Sequence, residues 1–310
     1  MIDEYAQPDQ THRTSTLTQR KHNMKTGKIE GYAKPKQADV ETVKNSEKYK
    51  DWYVSLKYDG TRQFLMGTDT GTELHNKRGT NKTRHFPEIT KEIALPKGVV
   101  LDGETIVTDE LHPHGNKNVL QKRDGGKPVL RKSGRKNFKQ KMKMKQYSAQ
   151  FVAFDILRYK GENVRDMPIE KRRELLKTVV EGLGDEVTIS KRYDNFNKAW
   201  NEVTENKMEG VILKKPESRY PEGRTPTWRK VKNIKDTILT CSQYEEHDKG
   251  ITVIGEDDHD DNHRFTVNGR VSEQVRQEIE DGDTAEVEVS YLERSKNGKL
   301  REPRYKRLVK

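Results

Sequence analysis

The chain is 310 residues long and carries 61 Lys and Arg against 50 Asp and Glu, a formal net charge of +11 at pH 7. That length accommodates two compact domains or one of unusual size, and the basic balance favours a polyanionic partner, nucleic acid before membrane. No apolar stretch approaches bilayer-spanning length, the opening MIDEYAQPDQ lacks a signal-peptide core, and a single cysteine, Cys241, excludes an internal disulfide and a Cys-based zinc site. A reducing, cytoplasmic compartment is expected. Only 30% of residues are apolar, so parts of the chain are expected to stay unpacked.

Residues 1–30 are polar and without period, and are read as a flexible leader. Their basic residues, Arg13, Arg20, Lys21 and Lys25, either touch nucleic acid or belong to an inert tail. From Gly31 the chain runs through a loop and a short helix into the strand WYVSL, residues 52–56, which leads to KYDGTR at 57–62. Asp59-Gly60 is a turn signal, and QFLM at 63–66 reads as the return strand of a hairpin. Lys57 then stands at a strand end beside a cleft. It is a nucleophile if burial or neighbouring positive charge keeps it unprotonated, and otherwise a solvated lysine next to a turn. Arg78, in LHNKRG, is a further polar contact. The next strand, VVLDGETIV at 99–107, embeds Asp102 and Glu104 in an apolar run. An acid there needs either a buried cation as partner or a metal, because a lone buried carboxylate is too costly.

Residues 112–148 are the least core-like part. Twelve basic residues and one acid, Asp124, fall between Lys117 and Lys145. Such a segment repels itself, and a phosphate backbone would neutralise it. Lys122, Arg123, Arg131, Lys132, Arg135 and Lys136 are the candidate nucleic-acid contacts. Order resumes at the strand FVAFDIL, 151–157. A helix follows, with Pro168 near its first turn, Leu175, Leu176, Val179, Val180 and Leu183 on one face, and Gly182 and Gly184 at its end. A second helix places Phe196, Ala199, Trp200 and Val203 at core spacing. Strands follow at 208–216 and 227–233. In the latter Lys230 and Lys232 share a face opposite Val231, an arrangement suited to clamping a phosphate or to an exposed strand. Beyond Lys235 five short strands and one helix near Ser272 to Glu280 suit a small Greek-key barrel of the OB type. The acidic stretch EDDHDDNH at 256–263 reads as a solvated hairpin loop, with a cation site as the alternative.

In this order, the motifs over residues 31–310 resemble the ATP-dependent DNA ligases of the covalent nucleotidyltransferase superfamily, in a minimal form without an N-terminal DNA-binding domain. The resemblance implies an α+β architecture, with an adenylation domain of antiparallel sheets and flanking helices at 31–234, a basic insertion at 112–148, and an all-β OB-fold domain at 235–310. It implies that Lys57 takes AMP in a phosphoramidate bond. Arg62 and Arg78 would hold nucleotide, Glu104 would lie near ribose and metal, and Phe154 would stack on adenine. Glu209 would bind metal, Lys230 and Lys232 the phosphates, and Arg301 and Arg304 of the R-x-P-R element the pyrophosphate. Ser55 stands where many relatives have a glutamate that reads adenine.

The implied cofactors are ATP and Mg2+, with Mn2+ as a possible substitute, and the implied partner is nicked duplex DNA bound by a monomer. The implied roles are DNA repair, replication and recombination. Like-charge repulsion from Lys230 and Lys232 is expected to lower the pKa of Lys57. A hinge is expected near Asn233 to Asp236. The alternatives are an RNA ligase, an mRNA-capping guanylyltransferase, or an inactive nucleic-acid-binding module.

Overall fold

The computed structural model describes residues 31–108, 115, 120, 125, 148–259, 261–295 and 297–309. The leader and all six candidate nucleic-acid contacts between Lys122 and Lys136 lie outside them. Three sheets, mostly antiparallel, carry the fold, with few helices.

The first sheet has the order β1 (Ala33–Gln37), β11 (Gly223–Lys232), β10 (Gly210–Lys214), β2 (Tyr53–Leu56) and β9 (Arg192–Tyr193). The second runs β4 (Gly71–Asn76), β3 (Thr61–Thr68), β5 (Val100–Thr108), β6 (Ser148–Tyr159) and β7 (Glu162–Asn163), with β8 (Val187–Ile189) parallel to β6. The third runs β14 (Asn262–Asn268), β13 (Gly250–Glu256), β12 (Lys235–His247), β15 (Ala285–Tyr291) and β16 (Arg304–Leu308).

Each sheet covers a core with a helix, as the apolar periodicities require. Leu65, Leu101, Phe151 and Ile156 meet Leu176 and Val179 of the helix Ile169–Val180. Val54, Leu56, Val211 and Leu213 meet Phe196, Ala199 and Val203 of the helix Phe196–Glu205. That helix starts where the Asn195 side chain accepts the Lys198 N–H at 3.0 Å. Leu239, Val253, Phe265 and Val287 meet Val275 and Ile279 of the helix Arg270–Gly282.

A fourth cluster joins the first two sheets: Ala33 of β1, Phe64 and Met66 of β3, Leu157 of β6 and Trp228 of β11. On β3 the alternation therefore matters on both faces, Leu65 toward the helix and Phe64 toward the other sheet. In the third sheet β14 and β16 lie side by side and the ladder between β12 and β13 shifts register at Cys241, so the sheet curls in a manner compatible with an OB fold.

Three expectations change. WYVSL and QFLM do not form a hairpin, because β2 and β3 belong to different sheets. Gly60 serves instead for close approach: a Cβ there would lie 2.3 Å from the Thr105 carbonyl oxygen. The segment AKPKQ, read as loop, is β1, which its parallel pairing with β11 makes a strand despite two lysines and a proline. The acidic stretch is not solvated throughout, since Asp257 and His263 are 7% and 3% exposed.

Candidate active site

Strand register assembles the site. Val211 pairs with Leu56 and Ile212 with Ser55, and the Lys57 N–H donates to the Gly210 carbonyl at 2.8 Å. On the far side of β10, Gly210 pairs with Lys232 and Ile212 with Lys230. Glu209, one residue before β10, is thereby set between Lys57 and Lys232. Lys57 Nζ lies 2.6 Å from Glu209 Oε2, and Lys232 Nζ lies 3.9 Å from Glu209 Oε1. Gly210 permits this crowding, because a Cβ there would sit 2.0 Å from the Val231 carbonyl oxygen.

The second sheet faces this row. Arg62 pairs across the ladder with Glu104. Its Nε and Nη2 donate to the two oxygens of buried Asp102 at 2.9 and 2.5 Å, and Asp102 also accepts from Tyr220 Oη at 2.7 Å. Asp102 is thus the buried cation's partner. The β5–β6 ladder pairs Asp102 with Asp155 and Gly103 with Ala153, which leaves Phe154 as an extra, bulged residue between them. Its ring lies 5.2 Å from the Arg62 guanidinium carbon.

Lys57, Arg62, Arg78, Glu104, Phe154, Glu209 and Lys230 line one cleft of about 760 Å³, a size suited to a nucleotide. Lys232 and Arg304 line an adjoining cavity at the junction with the third sheet. Arg301 reaches back to the first motif, with Nη1 and Nη2 at 2.5 and 2.6 Å from the two Asp59 oxygens and Nη1 at 2.7 Å from Glu293. Arg304 is exposed and lies 3.4 Å from Glu302, and Arg307 pairs with Glu288.

The electrostatics overturn one expectation. Burial alone would lower the pKa of Lys57, but Glu209, Glu104 and Asp59 outweigh it and the pKa is raised. It is Lys230 whose pKa falls, through burial and repulsion from Lys232 and Lys57. Glu104 is pushed up to about 8, first by burial and then by Glu209 and Asp102, which oppose the attraction of Lys57 and Arg62. Carboxylates, Glu209 first, and not the other lysines, decide the protonation of Lys57.

Residues 32–232 match the family model described as ATP dependent DNA ligase domain. The chain belongs to that family. The match spans both sheets that form the cleft and ends at the last residue of β11. A DNA ligase of Archaeoglobus fulgidus is 32% identical over 193 residues, which are 60% of this chain and 32% of the relative. The SPbeta prophage-derived DNA ligase-like protein LigB of Bacillus subtilis is 24% identical over 210 residues, 67% of this chain and 71% of the relative. The chain therefore spans about a third of the archaeal relative's length. In fold it is similar to a Lig E DNA ligase, with a TM-score of 0.64 and 18% identity over 91% of this chain and all of that one. It is also similar to a mycobacterial DNA ligase D complexed with ATP and MES, with a TM-score of 0.53 at 18% identity over 90% of this chain and 94% of that one.

Within this ligase-family domain, sequence reading missed Tyr32, Asp59, Lys214, Tyr220 and Trp228. Lys214 Nζ donates to the Phe154 carbonyl at 2.9 Å and to Asp155 at 3.2 Å, beneath the bulge, and burial lowers its pKa to about 8. The signal was Asp155, a second acid inside an apolar run, which needed the cations Lys214 and Arg172. Among the described residues no three His, Cys, Asp or Glu side chains form a metal cluster. The pair Glu104 and Glu209 nevertheless fits magnesium, which takes one or two carboxylates and completes its shell with substrate phosphates and water.

Proposed function

We propose that this chain is an ATP-dependent DNA ligase that seals 5′-phosphate/3′-hydroxyl nicks in duplex DNA through a lysyl-AMP on Lys57. The observation that carries the reading is the 2.6 Å contact of Lys57 with Glu209, within a cleft shared with Arg62, Glu104, Phe154 and Lys230. In this reading residues 31–234 are the adenylation domain and 235–310 an OB-fold barrel, acting as a monomer in the cytoplasm. No helix among the described residues is long and apolar enough to cross a membrane.

Lys57 Nζ attacks the α-phosphorus of ATP. A P–N bond forms, the bond to pyrophosphate breaks, and the Nζ proton leaves. AMP then passes to the nick's 5′-phosphate, and the 3′-hydroxyl displaces it. Magnesium held by Glu104 and Glu209 would neutralise phosphate charge and draw Glu209, the carboxylate in contact with Nζ, away from the Lys57 proton. Lys230, whose depressed pKa reflects crowding by like charge, and Lys232 stabilise the charge of each in-line displacement. Phe154, aimed by the bulge and braced by Lys214, offers its ring to the base.

The test is covalent labelling with α-labelled ATP, GTP or NAD in the presence of magnesium or manganese. ATP label that disappears in Lys57→Ala, followed by joining of a nicked duplex, supports the reading. Label from GTP alone transfers the chain to capping chemistry, preference for nicked RNA to RNA ligation, and no label at all to a binding module.

A further inference from the structure

The barrel contains a buried polar cluster that these steps do not use. Asp257 follows β13, and His263 is the second residue of β14. The Asp257 carboxylate accepts from His263 Nε2 at 2.6 Å, from the backbone N–H groups of His259 and Asp261 at 2.9 and 3.2 Å, and from Arg294. Burial would raise its pKa, but those donors overcome the penalty and hold it well below the usual carboxylate range. Asp257 is therefore an acceptor only, so the proton in its bond with His263 belongs to Nε2, and the backbone N–H directed at Nδ1 assigns that nitrogen the role of acceptor. That donor is the buried Leu300 N–H, at 3.2 Å.

The next residue is Arg301. Its N–H donates to the Glu293 carbonyl at 2.8 Å, and its carbonyl accepts the Leu292 N–H at 3.1 Å. Leu300 itself pairs with Arg294 only through an isolated bridge. Gly298 and Glu302 on either side have φ of 75° and 52°, so Arg301 projects from a short irregular ladder, and β16 begins only at Arg304. A side chain on such a stretch is aimed only as well as its backbone is held. His263 ties that backbone to a regular strand of the barrel.

We propose that His263 is a positioning residue for Arg301: through Leu300 it fixes the backbone from which the guanidinium grips Asp59, and so seats the barrel over the cleft. The proposal rests on the ligase reading, because it assigns the seated arrangement to the adenylation of Lys57.

Two substitutions separate the two ring nitrogens. His263→Asn places an amide oxygen near the position of Nδ1 and keeps the Leu300 bond. His263→Gln reaches Asp257 and leaves the buried Leu300 N–H unpaired, so ATP labelling of Lys57 is expected to slow about tenfold in H263Q and less than about threefold in H263N. Joining of a chemically pre-adenylated nick, which bypasses the labelling step, stays close to wild type in both. In an Arg301→Ala background H263Q adds nothing further. Asp257→Asn disturbs the same cluster without touching the Leu300 N–H, and it is expected to lower the melting temperature while keeping the labelling rate of the folded protein.

Labelling that follows melting temperature across the three variants overturns the proposal, as do equal losses in both joining steps or additivity with R301A. If wild type takes no label from ATP, the ligase reading fails separately. The positioning claim is then read from solution scattering, where H263Q must reproduce the loosened profile of R301A and H263N must not.

Discussion

Burial, with Glu209 and Asp102 beside it, keeps a proton on Glu104 against the pull of Lys57 and Arg62, while Glu209 first of all holds the proton on Lys57. Glu104 is neutral in the folded protein up to about pH 8, whereas its ordinary value is 4.5. Between those limits the folded state binds a proton that the unfolded state has released, so folding stability falls as pH rises through this window. Denaturant midpoints measured from pH 5 to 8 are expected to decline, and Glu104→Gln to flatten that slope. Phe154 is open to an equally direct test. Loss of a stacking ring costs roughly 1–3 kcal/mol per base, so Phe154→Ala should raise the ATP concentration needed for half-maximal labelling about tenfold or more, and Phe154→Tyr should leave it nearly unchanged.

Between elements, the fully buried Arg172 bonds Asp155 through Nε at 2.7 Å, and Lys214 reaches the same carboxylate at 3.2 Å. These three side chains tie the helix Ile169–Val180 to β6 of the second sheet and β10 of the first. Such a cluster contributes little over an apolar core when intact, but removing one member strands a buried charge. Arg172→Met is expected to cost about 3–5 kcal/mol in urea denaturation. The bulge at Phe154 is braced by Lys214, so Lys214→Met should reduce ATP labelling as well as stability, whereas Lys214→Arg should rescue neither, because the longer fork does not fit the same volume.

Across the whole molecule, the linker residues Asn233 and Ile234 join β11 to β12, and the barrel is seated by the two-pronged grip of Arg301 on Asp59 together with Lys232 on Glu302 at 3.2 Å. Asp59 belongs to the same KYDGTR motif as Lys57, so the group that closes the barrel sits two residues from Lys57. Asp59→Asn and Arg301→Ala should each enlarge the radius of gyration in solution scattering, and the double variant should show no more change than either alone. Unchanged scattering in both would mean that the grip does not hold the barrel. Added ATP should compact wild type more than Arg301→Ala if nucleotide and grip act together.

The sequence by itself determined the family, through its ordered motifs, and most of the strands. Apolar runs, helix caps and the order of the motifs are local properties, so Lys57, Glu104, Phe154, Glu209 and the pair Lys230 and Lys232 could be named without coordinates. Only the tertiary structure decided how they meet. That β2 and β3 part into different sheets depends on a close approach of Gly60 to β5, which no dipeptide signal records. That Lys57 is governed by carboxylates rather than by lysines depends on a register that puts Glu209 at 2.6 Å, and Coulomb interactions are fixed by distances between residues far apart in the chain. AKPKQ becomes a strand, and Arg172 and His263 become buried, for the same reason: each is defined by partners that only folding brings to it.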